Sequence, residues 1–413
     1  SSSSSSSSGH SGGSLEFAIV FNVIFMVIAI FYIKGTFSVI FGIIKDMLHI
    51  DKLKEFKPTK EKRQPKLLGQ LPTTAVNDHI WSPDYIMSSV QRIFRDYQRD
   101  WGDLNTESIK DYMSDYYLGH ATLMMEALRD IHRRNVTTII GEIIDVTINT
   151  AIDDPGNTND RFIAQIRAYV RDSLIDAQTK KELYSSVYEL NEAWEFVRVN
   201  NEWKLNGINP ATASANTRVM KLVQFAAANN AYYSLDWGWL LLPQRGQLFR
   251  GRRFGISDIN NHVIGRFSNS GRAIADDTIY QIYTYSRRPL YDGAKEYLVG
   301  QITLPKHYDN IIVRRRRLGS FKLGYRKVKL EWTEFNNRFD VFVAKSDRIA
   351  SLELLNPQMM ERLMQLDHEI NMEVVDNVIY FYAPFNRIRG GKTADNYSKM
   401  LDTLQLAYRE LKL

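Results

Sequence analysis

Apolar residues change their spacing three times along this chain. Residues 17–33 are apolar apart from Asn22, and at about 1.5 Å per residue they reach about 25 Å, close to the hydrocarbon thickness of a bilayer. That run predicts a transmembrane helix over residues 15–33. Phe37, Ile40, Phe41, Ile44, Met47 and Leu48 then recur at helical spacing. They fit either an amphipathic helix in the headgroup layer or a tilted continuation of the span.

A helical period returns at Ser82-Pro83-Asp84, where Ser82 is a natural cap, Pro83 suits the first turn and Asp84 complements the dipole. Ile86, Val90, Ile93, Phe94 and Tyr97 form its apolar face, and residues 106–117 and 121–133 predict two further helices. After Asn135 the pattern becomes β-rich over residues 139–148, 161–173 and 188–199, ending in Glu202-Trp203-Lys204-Leu205. Helices followed by an antiparallel sheet predict an α+β domain with the helices on one face of a curved sheet.

A short polar linker at residues 209–216 leads to a helix over 217–231 and an apolar stretch at 236–243. Strands are expected over 279–285, 297–304, 311–314, 325–332, 339–344 and 373–382. Helices are expected over 358–366, capped by Asn356-Pro357, and over 394–413. The expected organisation is a Ser/Gly-rich disordered tail (1–14), the span (15–33), a basic juxtamembrane linker (34–77), an α+β domain (78–208), a linker (209–216) and a second α+β domain with a mainly antiparallel sheet (217–413).

Charge adds orientation and partners. No Lys or Arg precedes the span, whereas residues 34–66 carry nine against four acids, which predicts an outside N-terminus and cytoplasmic domains. Residues 81–208 hold 14 Lys/Arg and 21 Asp/Glu, a net −7, while residues 209–413 hold 30 and 20, a net +10. The basic candidates Lys52, Lys54, Lys57, Arg314, Arg315, Arg316 and Arg317 point to anionic lipid or to the acidic domain. Tyrosines interleaved with the arginines make nucleic acid a competing partner, ranked below lipid and the acidic domain. An unknown protein partner and an oligomer are both compatible with this surface.

Candidate chemistry is sparse. The chain has no cysteine, which excludes disulfides, Cys-ligated metal and thiol nucleophiles. Its eight histidines show no HExxH or other paired spacing, so no metal, cofactor or catalytic residue is assigned. Gly391-Lys392-Thr393 misses the phosphate-loop pattern because Asn386 stands where a glycine is needed. Asp145, Asp153, Asp154 and His120 are available in the first domain without a spacing that fixes a dyad.

Trp101, Asp103 and Leu104, with Tyr112, Tyr116, Trp194-Glu195-Phe196-Val197-Arg198, Trp203 and Leu205, resemble the Tim-forty-four-like domain, named for a peripheral subunit of the mitochondrial inner-membrane protein translocase. The resemblance implies a cone similar to nuclear-transport-factor-two, with a hydrophobic pocket for an acyl chain or peptide; Trp101, Tyr112, Trp194 and Trp203 are the pocket candidates. Phe335-Asn336-Asn337-Arg338-Phe339-Asp340-Val341 followed by Leu355-Asn356-Pro357 and Met360 resembles a bacterial membrane-linked family of unknown function. Together these imply a membrane-anchored, non-enzymatic scaffold or binding protein that takes lipid or a hydrophobic segment and assists membrane-protein assembly or translocation. A small-molecule enzyme in the first cone and a membrane-tethered nucleic-acid binder are the competing expectations.

Overall fold

The structure is a computed structural model that describes residues 66–69, 71, 78–210, 217–238, 240–243, 246–249, 258–267, 278–287, 295–304, 307–308, 310–316, 324–344, 352–365, 370–384 and 394–411. Helix α1 (Pro83–Asp103) starts where Ser82 Oγ accepts from the Tyr85 amide at 3.3 Å, and it stops where Leu104 turns into the left-handed region at φ 53°. Helix α2 (Asp115–Asp130) is capped in the same way by Ser114 on Tyr117. Both bury an apolar stripe against a five-stranded sheet.

That sheet runs in the order β1 (Lys66–Gly69), β2 (Arg133–Ile152), β3 (Arg161–Asp176), β4 (Glu182–Val199), β5 (Glu202–Pro210). The short β1 lies parallel to β2, and the other pairs are antiparallel. Register shifts in β2 on both sides of Ile143, beside Gly141 at φ 80°, bend the sheet around the helices. Phe94, Phe162, Trp194, Phe196 and Trp203 fill the space between them.

After α3 (Thr217–Ala228), the strands β6 (Tyr232–Gly238), β7 (Asp258–Phe267), β8 (Thr278–Arg287), β9 (Lys295–Thr303), β10 (Ile311–Arg315), β11 (Tyr325–Val328), β12 (Phe339–Ala344), β13 (Asn371–Val375) and β14 (Val378–Pro384) form a second sheet. Their order is β11-β12-β10-β13-β14-β9-β8-β7-β6, antiparallel throughout. Helices α3, α4 (Thr333–Arg338), α5 (Pro357–Gln365) and α6 (Ala394–Glu410) contribute side chains such as Leu222, Phe335, Met359, Met400 and Leu404 to one buried cluster with this sheet. Tyr283, Tyr285, Val299 and Tyr380 instead join the core of the first sheet through Trp237, Leu241, Leu242 and Phe249.

The expected α+β balance with an N-terminal transmembrane helix is corrected by this architecture. Among the described residues strand is the largest class, at 47 %, and there are six helices. The sequence pattern undercounted the strands because bulges interrupt the two-residue alternation that marks them. Only residues 139–148 were expected of the 20-residue β2. Among the described residues no helix is long and apolar enough to cross a membrane. The span at 15–33, the tail and most of the basic linker lie outside the described residues. The localisation as a single-pass membrane protein with cytoplasmic domains is therefore withdrawn.

Candidate functional site

Where α2 meets β2, three turns converge. His132 adopts φ 54° to redirect the chain, and Arg133 buries its guanidinium so that Nη2 donates to the Leu242 carbonyl at 2.8 Å. In the β3–β4 turn Asp176 Oδ1 accepts from the amides of Gln178 at 3.0 Å and Thr179 at 2.8 Å. In the β13–β14 turn Asp376 stands at φ 58°, and Asn377 Nδ2 donates to the Asp130 carbonyl at 3.0 Å. The Asp376 carbonyl accepts from the Tyr308 amide at 2.9 Å, and the neighbouring His307 ring stacks on His132 with centroids 6.1 Å apart.

These turns enclose a cleft of about 340 Å³ between the two sheets. Ile131, Leu241, Pro243, Val375 and Val378 give it an apolar lining, and His132, His307, Asp176, Asp376, Gln178 and Asn377 bring polar groups to it. Its size falls within the range of small-molecule sites, and polar groups make up the larger share of its accessible lining beside the apolar side chains.

A second polar cluster lies on the inner face of the first sheet. In β3 the buried positions alternate as Phe162, Ala164, Ile166, Ala168, Val170 and then Asp172, so a carboxylate takes a place the pattern reserves for an apolar side chain. Asp172 Oδ1 accepts from Asn135 Nδ2 at 2.5 Å and Thr137 Oγ1 at 3.1 Å, and Asn135 Oδ1 accepts from Trp101 Nε1 at 3.1 Å. Glu192 shares this face with Leu190, Trp194 and Phe196, and its Oε2 accepts from Trp194 Nε1 at 2.9 Å. Burial pushes the Glu192 carboxyl up to about 7 and also raises Asp172, against the hydrogen bonds that favour its charged form. Burial likewise raises the phenols of Tyr97 and Tyr117.

The aromatic pocket candidates are packed against other rings. Trp101 stacks on Tyr97 at 5.7 Å, Trp194 meets Phe94 at 5.1 Å and Tyr97 at 5.2 Å, and Trp203 meets Trp81 at 4.8 Å and Phe162 at 4.7 Å. Tyr112 Oη donates to Asp100 Oδ2 at 3.0 Å. Among the basic candidates Arg314 and Arg315 are half-buried, with their guanidinium groups 4.8 Å over the Phe342 ring and 4.9 Å over Phe339. Arg316 is exposed at the end of that strand, and Lys52, Lys54, Lys57 and Arg317 lie outside the described residues.

Asp145 pairs with Arg167 at 2.8 Å, and the Asp154 amide donates to Asp160 Oδ1 at 2.7 Å in the β2–β3 turn. His120 Nε2 lies 3.1 Å from Ser234 Oγ, and its ring stacks on Tyr232 at 5.2 Å. Among the described residues no group of three or more His, Asp or Glu is placed to hold a metal ion. Asp172 and Glu192 escaped the sequence analysis, although each is an acid at an inward position of an alternating strand. The cleft residues carry no such signal, since they come from separate turns.

Residues 299–387 match the family described as "Protein of unknown function (DUF3137)". No curated protein matches the chain. Among solved structures, the intermembrane space region of the chloroplast protein ARC6 is 12 % identical, with 30 % of this chain and 93 % of that one covered at a TM-score of 0.24. An Ntf2-like protein involved in plasmid conjugation is 9 % identical, with 63 % and 96 % covered at a TM-score of 0.20.

Proposed function

We propose that this is a non-enzymatic binding protein whose ligand seat is the cleft between the two sheets. Its ligand has an apolar body and a hydrogen-bonding head, the chemistry of a lipid or of a hydrophobic peptide segment. The observation that carries this is the cleft of about 340 Å³, in which Leu241, Pro243 and Val378 lie beside His132, His307 and Asn377. A Tim-forty-four-like character for residues 78–208, and with it a role in protein assembly or translocation, belongs to the same proposal. Its support is the pair of helices α1 and α2 packed on a bent antiparallel sheet.

Native mass spectrometry of the purified chain tests it. An apolar molecule should co-purify, or oleate should bind when added, and His307→Trp at an exposed lining position should remove it. A chain that carries no adduct and ignores oleate would overturn the proposal.

A small-molecule enzyme is the second reading, and one observation favours it: the Glu192 carboxyl, pushed up to about 7, lies on the same face of the first sheet as Asp172. A polar metabolite retained by the wild type and lost in Glu192→Gln would favour that reading over a binding protein.

A further inference from the structure

Strands β6 and β7 each carry a bulge, and the two bulges face each other. The β6–β7 register slips between Asp236 and Gly238, which leaves Trp237 as the extra residue. The β7–β8 register slips between Asn260 and Val263, where Asn261 takes φ 52° and His262 is carried into the interior. Bulges re-aim side chains, and here they bring an indole and an imidazole together with centroids 5.2 Å apart.

Both rings are buried, His262 at 0 % exposure and Trp237 at 5 %, and each has one nitrogen without a hydrogen-bond partner among the described residues, Trp237 Nε1 and His262 Nδ1. The roles of these two atoms are complementary. An indole N–H only donates. His262 Nε2 lies 2.8 Å from Gln281 Oε1, an acceptor, so Nε2 carries the proton and Nδ1 presents a lone pair. Burial lowers His262 to about 4, which keeps the ring neutral with that single N–H at neutral pH. A buried donor and a buried acceptor left open are each costly, and native proteins fill such places with an ordered molecule that offers the matching groups.

We propose that Trp237 Nε1 and His262 Nδ1 form a buried binding site for one water molecule, or a hydroxyl group of that size, which accepts from the indole and donates to the imidazole. Leu241 and Pro243, which follow Trp237 closely in sequence, line the cleft. Trp101 of α1 packs 5.9 Å from Trp237, which places the bridge at the join between the two sheets.

Two measurements on the full chain decide the matter. A crystal structure should show ordered density within hydrogen-bond reach of both nitrogens. Nuclear magnetic resonance should show magnetisation transfer between water and the Trp237 indole proton, with His262 as the Nε2–H tautomer and Nδ1 hydrogen-bonded. Trp237→Phe, which keeps a ring but removes the donor, should lose the density peak and lower the denaturation midpoint. Dry density between the two rings, with no transfer from water in the wild-type protein, would overturn the proposal whether or not the variant folds. Neither result depends on what occupies the cleft, so the bridge can fail while the proposed binding function stands.

Discussion

Arg133 at the start of β2 reaches across to Leu242, donating from Nη2 to its carbonyl at 2.8 Å from a nearly buried position. A charged donor withdrawn from water holds one sheet to the segment that floors the cleft. Arg133→Met keeps much of the volume and removes the bond, leaving the Leu242 carbonyl without it. We expect a loss of roughly 2–3 kcal/mol by urea denaturation, together with weaker retention of any cleft ligand.

Two buried histidines set the acid limit of the fold. Burial lowers His120 to about 3 and His262 to about 4, whereas an unfolded histidine titrates near 6.5. Below about pH 6.5 the unfolded chain binds protons that the native chain refuses, so stability falls as pH drops from there toward about 4. Each histidine contributes up to about 1.4 kcal/mol per pH unit in that window and nothing above it. A shallower pH dependence between 7 and 5 in His120→Gln/His262→Gln than in the wild type would confirm this; identical slopes would refute it.

Glu192 acts in the opposite sense. With its carboxyl pushed up to about 7, the native state holds a proton that the unfolded chain has already lost above about pH 4.5. Its cost therefore grows as pH rises from about 4.5 to 7 and stays constant beyond. Glu192→Gln should gain on the wild type by about 1–2 kcal/mol more at pH 8 than at pH 5, a figure reduced for its partial exposure. Paired denaturation curves at the two pH values provide the measurement.

Two glycines mark close approaches with different tolerance. A Cβ at Gly265 would meet the Tyr280 ring, with Oη at 2.5 Å and Cζ at 2.6 Å, whereas one at Gly300 would meet Met400 Cγ and Sδ at 2.7 Å. The phenol ring is rigid and nearly buried, and the thioether can rotate away. Gly265→Ala should cost about 2–3 kcal/mol and Gly300→Ala about 1, read from their melting temperatures.

Local signals in the sequence reached the helices more fully than the strands. Ser82-Pro83 placed the start of α1, and Asn356-Pro357 that of α5, where Asn356 Oδ1 accepts from the Met359 amide at 2.8 Å. Both depend only on residues within one turn. The single strand expected over 373–382 is two strands, because Asp376 and Asn377 make a turn that the apolar residues on either side disguised. The order of the second sheet was out of reach: β10 lies between β12 and β13, both of which follow it in the chain, and no local pattern encodes that insertion. The cleft depends on the same long-range assembly, whereas Asp172 stood in plain view at an inward position of β3.

The matched stretch, residues 299–387, takes in most of β9 and all of β10 to β14. In the sheet those six strands lie side by side, although they are shuffled in sequence, so the stretch is a continuous slab of six neighbouring strands. One flank of that slab, the side of β9, is closed here by β8, with Tyr280 opposite Ile302 and Tyr283 opposite Val299. Any polypeptide built around the same slab must supply a strand along that flank or leave a row of amides and carbonyls exposed to chance pairing. The seam between β8 and β9 is thus where a transplanted version of this unit would stand or fall.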